Sequence, residues 1–337
     1  DAAARVGENT TVDAGTSLET DAVGDGTTQV LSHRSVGDGY TENALFERAS
    51  VHGPVGRVVP VRHESNRGAG GAIKTGYLAA LEDDLSVDIV ATIDADGQMD
   101  SRMLPRFLDP IVENRADYTK GNRLLDPNTR EEMPSFRLLG NSILTLLTKI
   151  ASGYWKTMDP QNGYTAISTE ALSAVDVEEL YEYYGYCTDL LIKLNVERAR
   201  VADIGMPARY GDETSSIKYD EYIRKVSLLL LRGFLWRLKT RYLLLDFHPL
   251  ALLYGLGALT TGAGLVEGAA AVGRGLSTDD SSTKSSESDI GAASGSTPGF
   301  VTVAHGALTL AIGCTLLVLS MIFDMEANEG LETQIRD

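Results

Sequence analysis

The sequence predicts an α/β sandwich with a mixed, mainly parallel sheet, followed by amphipathic surface helices and a two-helix membrane hairpin. Three observations predict it. Short apolar runs alternate with segments of helical spacing through the middle of the chain. One such run ends directly in Asp94-Ala95-Asp96. The C-terminal quarter holds two apolar stretches of nearly spanning length, although the mean hydropathy of the whole chain is only -0.08.

The elements follow in order. Residues 1–34 are rich in Gly, Thr, Asp and Ala and show little periodicity, so an atypical segment is expected there. The chain also starts on Asp rather than Met, which fits a fragment or a processed start. Arg57–Arg62 reads as a short buried strand, and Gly71–Leu81 as a helix opened by a glycine cluster. Val87–Ile93 is a strand. Ala116–Gly121 is another. Phe136–Ser152 is an amphipathic helix, with Leu138, Leu139, Ile143, Leu146, Leu147 and Ile150 spaced by threes and fours. Tyr164–Ser168 reads as a strand, with a helix from about Glu170. Thr188–Arg198 is helical, and Arg200–Arg209 is a strand. In open sheets of this kind, ligands bind beyond the carboxyl ends of the strands.

Tyr219–Leu245 mixes apolar residues with regularly spaced Arg and Lys, and suits helices lying at a membrane surface, with Trp236 and Tyr242 at headgroup depth. Pro249–Gly268 and Phe300–Phe323 each approach the roughly 20 residues that cross a hydrocarbon core of about 30 Å. Between them lies a Ser/Gly/Thr-rich acidic loop. Arg224, Lys225, Arg232, Arg237, Lys239 and Arg241 precede the first run, whereas the loop carries only Arg274 and Lys284. The positive-inside rule puts the large N-terminal body in the cytoplasm and the loop outside. The expected organisation is therefore a globular domain over 35–215, interface helices over 216–246, two spans at about 247–271 and 299–323 within 247–323, and a cytoplasmic tail over 324–337.

Composition narrows the function. The 337 residues include 47 Asp+Glu against 30 Lys+Arg, a formal net charge of -17. Such acidity argues against general nucleic-acid binding, which needs a basic surface. A hydrophobic fraction of 43% argues against disorder. Two distant cysteines, Cys187 and Cys314, exclude a disulfide framework and fit a reduced cytosolic body. Abundant carboxylates, with arginines outnumbering lysines, resemble the composition of proteins from a high-salt cytoplasm.

Asp94-Ala95-Asp96-Gly97-Gln98 is the strongest chemical signal. Two carboxylates two residues apart at a strand end can address one divalent cation, and Mg2+ or Mn2+ is often shared between such oxygens and substrate phosphates. The same string would also make a solvated turn. His63 to Gly76 tempts one toward a P-loop, but the template needs glycine at 73, where Ile73 stands. A glycine-rich turn into a helix can still approach a phosphate through backbone N–H groups, and can equally mark tight packing. Arg123 in Gly121-Asn122-Arg123 and Arg137 in Met133-Pro134-Ser135-Phe136-Arg137 are candidate phosphate ligands, though a lone arginine is more often a surface residue. Asp159-Pro160-Gln161-Asn162-Gly163-Tyr164 is, as a bare string, only a turn. The five histidines show no zinc spacing.

Taken together, these strings resemble family 2 glycosyltransferases of the GT-A fold, and within them the polyprenyl-phosphate sugar transferases such as dolichyl-phosphate mannose or glucose synthases. The run N-R-G-A-G-G-A-I-K-T-G-Y, then D-A-D-G-Q, G-N-R, M-P-S-F-R, D-P-Q-N-G-Y and Y-G-D-E-T-S-S-I-K occurs in that order over roughly residues 35–240. With the acid-rich composition, a haloarchaeal source is expected. The resemblance implies that Asp94, Asp96 and Gln98 bind the metal and donor diphosphate, and that Asp38, Asn66, Gly68, Gly70, Lys74 and Asp94 line the donor side. It implies that Arg123, Arg137, Gln161, Ser215 and Lys218 hold the acceptor phosphate, and that Asp94, Asp96, Asp159 and Asp189 are the acids of the catalytic pocket. The implied reaction is inverting transfer of a hexose from GDP-mannose or UDP-glucose to a polyprenyl (dolichyl) phosphate, with Mg2+ or Mn2+, at the cytoplasmic face of the cell membrane. Self-association is left open. The family's first strand motif, V-x-P-x-Y-N-E, is absent, and its D-D-G-S-x-D motif is seen only weakly around Asp38. A catalytically impaired sugar-nucleotide binder is therefore one alternative. A processive polysaccharide synthase is another, but its Q-x-x-R-W string and additional spans are not found.

Overall fold

Side chains that alternate across each strand build one five-stranded sheet with helices on both faces. The computed structural model describes residues 45, 48–53, 55–82, 87–125, 135–207, 219–279 and 298–335. The chain divides into two units, Asp1–Arg237 with Asn328–Asp337, and Leu238–Ala327.

In the first unit the described elements are β1 (Ser50–Val51), β2 (Val61–Arg62), α1 (Gly68–Ala80), β3 (Ile89–Thr92), α2 (Leu104–Val112), β4 (Tyr118–Asn122), α3 (Ser135–Ser152), β5 (Thr165–Ser168), α4 (Thr169–Ala174), α5 (Tyr186–Val196), β6 (Val201–Gly205), α6 (Tyr219–Arg237) and β7 (Glu332–Ile335). The sheet runs β3-β5-β4-β6-β7. Strand β5 is antiparallel to both β3 and β4, whereas β4–β6 and β6–β7 are parallel. The sheet is mixed and mainly parallel, as expected: β3, β4, β6 and β7 run one way and β5 alone runs the other.

One face of the sheet packs Tyr118, Ile167 and Val201 against Tyr77 of α1 and Leu190, Leu191 and Leu194 of α5. The other packs Ala166 and Ile204 with Tyr164 and Phe107 of α2. The Phe107 and Tyr164 rings stack with centroids 4.0 Å apart. Offset aromatic stacking adds to what burial alone contributes.

Three expectations change. Arg57–Arg62 is not a buried strand: only Val61–Arg62 pairs, in a two-stranded ribbon with Ser50–Val51, and Val58 is exposed. Among the described residues no second layer covers its Val58-Val59 pair. Part of the apolar stripe of α3, at Ile143, Leu146 and Leu147, faces outward. Ala151, Thr145 and Thr148 are buried, with Ala151 packing beside Ile192 of α5 and Val226 and Leu230 of α6, while Ile143, Leu146 and Leu147 are 52%, 51% and 41% exposed. On α6, Leu228, Leu231, Leu235 and Trp236 are likewise exposed. Two of the six basic residues counted before the first span, Arg237 and Arg241, are buried. Arg237 donates to the Ala151 and Ile150 carbonyls that end α3.

The glycine cluster opening α1 serves a close approach. A Cβ on Gly70 would stand 2.5 Å from the Tyr181 carbonyl oxygen and 2.6 Å from the Glu182 carbonyl carbon. Gly76, on the exposed side of α1, would meet nothing within 4 Å. Gly70→Ala is expected to destabilise the unit by about 1–3 kcal/mol through overpacking. Gly76→Ala is expected to stabilise it by about 0.5–1 kcal/mol. Denaturant melts of the two variants check the opposite signs.

In the second unit a π-helical stretch, Leu238–Leu245, leads to α7 (Leu250–Asp279), and α8 (Pro298–Asn328) follows. Both are long and apolar enough to cross a membrane. They pack through small residues: a Cβ on Gly257 would press Leu317, and one on Gly264, Gly306 or Gly313 would meet the backbone of the other helix. Close backbone approach of this kind is how helices associate in lipid. Glu267 of α7 faces Thr309 and His305 of α8.

The tail expected over 324–337 is only partly a tail. α8 continues to Asn328, whose side chain accepts from Asn195 of α5 at 2.8 Å, and β7 then joins the sheet beside β6.

Candidate active site

The carboxyl ends of β3 and β4 and the loop before β5 meet at a solvent-open cleft of about 90 Å³. β3 stops at Thr92, and the chain turns through Gly97, whose φ of 78° suits glycine. Asp96 fixes that turn by accepting from the Gln98 N–H at 2.9 Å. The Asp94 N–H is turned to the Met99 sulfur at 3.2 Å. Partial burial, and then the negative charge of Asp96, push the Asp94 carboxyl above its ordinary range. Two acids forced together in this way gain from a cation between them. Among the described residues no three His, Cys, Asp or Glu side chains cluster as a closed metal cage. Two carboxylates with the Gln98 amide instead fit a hard cation that keeps waters and takes its remaining oxygens from a phosphate.

Arg123 follows β4 on a single 3₁₀ turn, Arg123–Leu125. Asn122 braces that turn, its side-chain oxygen accepting from the Leu124 N–H at 3.0 Å. Asp159 grips the guanidinium: Nε donates at 2.7 Å and Nη2 at 2.8 Å, and the Arg123 backbone N–H donates to the same carboxylate at 3.2 Å. Burial alone would raise the Asp159 carboxyl, but these bonds and the Arg123 charge outweigh it and hold it below its ordinary value. Asp159 adopts a φ of 49°, uncommon for a non-glycine residue. Asn162 braces the loop, donating to Asp159 at 3.2 Å and accepting from the Tyr164 N–H at 3.0 Å. Gln161 donates to Thr188 at 3.0 Å. Gly163 leaves room for Asp94, since a Cβ there would stand 3.2 Å from its carboxylate oxygen and 3.3 Å from the Tyr186 hydroxyl.

The cleft therefore brings together Asp94, Asp96, Gln98, Arg123 and Gln161, and with Arg123 comes Asp159. Met99, Asn162, Gly163 and Met206 complete its wall. The other candidates lie elsewhere. Asn66 accepts from the Gly68 N–H at 2.8 Å. The Gly71 N–H donates to the Glu182 carbonyl at 2.7 Å. Lys74 is held by the Glu178 carbonyl and by the Glu182 carboxylate, which also pairs with Arg48 and Arg67. Asp189 accepts from the Tyr181 N–H at 3.0 Å, and burial raises its carboxyl. Asn66, Gly68, Gly70, Lys74 and Asp189 thus join α1, α5 and the 178–183 segment rather than lining this cleft. Asp38, Ser215 and Lys218 lie outside the described residues, as does the side chain of Arg137, whose backbone is in the first turn of α3.

A layer beneath the cleft was missed in the sequence. Lys120 and Asp203 are register partners on β4 and β6 and form a buried ion pair at 3.4 Å. Asp203 also accepts from Asn122 at 2.7 Å and from the Met158 N–H at 2.8 Å, while Lys120 donates to the Met158 carbonyl. Burial pushes the Asp203 carboxyl up, against the pull of Lys120. A charged residue inside each of two short strands, Lys120 in β4 and Asp203 in β6, was the available signal.

Residues 36–175 match the family described as "Glycosyl transferase family 2". A UDP-N-acetylglucosamine--dolichyl-phosphate N-acetylglucosaminyltransferase of Methanococcus voltae is 31% identical over 156 residues, 46% of this chain and 61% of that protein. An undecaprenyl-phosphate mannosyltransferase of Micrococcus luteus is 26% identical over 167 residues, 49% of this chain and 63% of its own. The chain thus spans less than two thirds of the length of these relatives. A solved structure of Mycobacterium tuberculosis glucosyl-3-phosphoglycerate synthase, in complex with Mn2+, UDP-glucose and glycerol 3-phosphate, superposes with a TM-score of 0.36 at 20% identity, covering 50% of this chain and 55% of that one.

Proposed function

We propose, from a chain whose residues 36–175 match glycosyl transferase family 2, that it transfers a sugar from a nucleotide sugar to a polyprenyl phosphate at a membrane face. The observation that carries this reading is the single cleft with the Asp94/Asp96 carboxylates and the Asp159-braced guanidinium of Arg123 in its wall. One part suits a cation-bound diphosphate and the other a second phosphate, which is what a nucleotide-sugar donor and a lipid-phosphate acceptor require together. The names of the two relatives agree in a polyprenyl-phosphate acceptor and differ in the sugar, so the acceptor class is the firmer part of the proposal.

In the proposed reaction, an oxygen of the lipid phosphate forms a bond to the anomeric carbon. The bond from that carbon to the donor diphosphate breaks on the opposite face, inverting configuration and releasing the nucleoside diphosphate. The nucleophile is already anionic, so Asp159 need not take a proton and acts by holding Arg123 in plane. The protein's work is positioning and charge neutralisation. Asp94, Asp96 and Gln98 would hold Mg2+ or Mn2+, which when bound neutralises the departing diphosphate. Arg123 and Gln161 would orient the acceptor phosphate, with Arg137, Ser215 and Lys218 as further candidates. Asp38, Asn66, Gly68, Gly70 and Lys74 remain proposed for the donor side, and Asp189 for the acids of the pocket.

The proposed location is the cytoplasmic face of the cell membrane, with α7 and α8 as spans. The exposed apolar residues of α3 and α6, with Arg224, Lys225 and Arg232 beside them, support a domain lying against the headgroups. GDP-mannose and UDP-glucose are the proposed donors. Nanodiscs carrying the full chain and dolichyl phosphate, given labelled GDP-mannose, UDP-glucose or UDP-N-acetylglucosamine with Mg2+ or Mn2+, are expected to yield one labelled, solvent-extractable glycolipid. No labelled lipid from any donor would overturn the reading.

A further inference from the structure

Four consecutive backbone N–H groups point into two carboxylates just before the site loop. Trp155 N donates to Glu332 Oε1 at 2.6 Å, and Lys156 N and Thr157 N donate to Glu332 Oε2 at 2.7 and 3.0 Å. Met158 N donates to Asp203 Oδ2 at 2.8 Å. The next residue is Asp159, at φ 49°, holding Arg123 by both guanidinium bonds. Successive N–H groups curled in this way form an anion-binding concavity. Here the anion is supplied by the chain itself, from β7, after α8. Gln334 of the same strand adds a bond from its Nε2 to the Lys156 carbonyl at 2.8 Å.

We infer that β7 is a positioning element for sugar transfer, and that Glu332, with Asp203, fixes residues 155–158 so that Asp159 presents Arg123 to the acceptor phosphate. The argument is one of reach. Lys120 and Asp203 hold Met158 from the sheet side, through its carbonyl and its N–H. Trp155, Lys156 and Thr157 take their carboxylate from β7 instead. Glu332 is a register partner of Val201, and Gln334 of Asp203, so the two carboxylates that receive these N–H groups stand on neighbouring strands. Neither is among the residues that line the cleft. Their effect on chemistry therefore passes through the backbone that ends at Asp159. A reacting phosphate displaced by about 1 Å can slow transfer by about 10²-fold.

This inference rests on the proposed transfer for its kinetic test but not for its structural one. In Glu332→Gln an amide donor faces backbone N–H groups, so at least one bond is lost while side-chain size is kept. With the full chain in nanodiscs, amide hydrogen exchange at 155–158 is expected to accelerate at least about tenfold, with β3 and β5 unchanged. The kcat for lipid glycosylation is expected to fall about 10–100-fold, while KM for the nucleotide sugar stays within about twofold, because the Asp94/Asp96 wall is untouched. Thr333→Ala, at the exposed neighbouring position of β7, is expected to change neither. Unaltered exchange at 155–158, or unaltered kcat, overturns the inference. So does a parallel loss in kcat and donor affinity. If Glu332→Gln frees the whole sheet to exchange, Asp203→Asn reads the same loop from its other anchor, under the same criteria. A wild-type chain that glycosylates nothing would overturn the proposed function, and the exchange rates would then decide the grip alone.

Discussion

Asp96→Ala is expected to lower sugar transfer by at least about 10²-fold, the scale of losing one preorganised electrostatic contact to a developing charge. Asp96 is exposed, and its one described hydrogen bond is local, to the Gln98 N–H. Removing it costs the fold little, about 1 kcal/mol for one turn bond. It removes half of the carboxylate pair, and with it the second cause that raises Asp94. The loss should therefore be chemical rather than structural. Asp96→Asn separates the two further: its amide oxygen can keep the turn, but the charge is gone, so it is expected to be as inactive as alanine. Both variants should remain in the membrane fraction, because α7 and α8 are unaltered. Labelled glycolipid measured across a Mg2+ and Mn2+ titration checks this. Wild-type turnover in Asp96→Ala would remove the carboxylate pair from the mechanism.

Arg123→Lys is the second large expectation. Lysine keeps the positive charge but cannot bond Asp159 through two parallel N–H groups. The geometry, not the charge, is what Asp159 fixes, at 2.7 and 2.8 Å. Transfer is expected to fall by about 10²-fold, with the loss in kcat and in KM for the lipid phosphate, and with nucleotide-sugar binding retained. Asp159→Asn should give a similar loss by a different route, because it leaves the guanidinium facing a neutral group in a largely buried site. Titration calorimetry with the donor, beside steady-state kinetics varying the lipid, separates the two substrates. Equal weakening of both would place Arg123 on the donor side.

Much of the first unit was legible in the sequence, for physical reasons that also mark what was not. β3 and β6 are short, largely apolar runs, and the Asp pair lies where an open sheet leaves its strand ends to ligands. The helices α1 and α3 appeared within a few residues of their expected bounds. Periodicity located the α3 stripe at Ile143, Leu146 and Leu147 but carried no information on which way it faces. Packing gave the inward face to Thr145, Thr148 and Ala151 instead. The glycines at 68–71 read equally as an approach to phosphate or as tight packing at a helix start, and the backbone that comes close to Gly70 is that of Tyr181 and Glu182, more than a hundred residues later. The Asp159–Arg123 pair joins two turn-like strings that become a site only when β4 and the loop before β5 are neighbours. β7 was the least legible. Glu-Thr-Gln-Ile is short and polar, and nothing local says that it pairs with Val201–Ile204.

That last pairing sets an order of assembly. The chain leaves the α/β unit after Arg237 and re-enters it only at Asn328. During synthesis, the β6 edge that β7 will cover waits while the residues of the second unit, Leu238–Ala327, are made. Contacts this distant in sequence form late, and an open strand edge is a hazard while it lasts. β7 joins the sheet only in a chain whose two long helices have already been made. Completion of the two long helices is thus recorded in the α/β unit as a finished or an unfinished edge, and a polypeptide stalled before Glu332 would present the unfinished one.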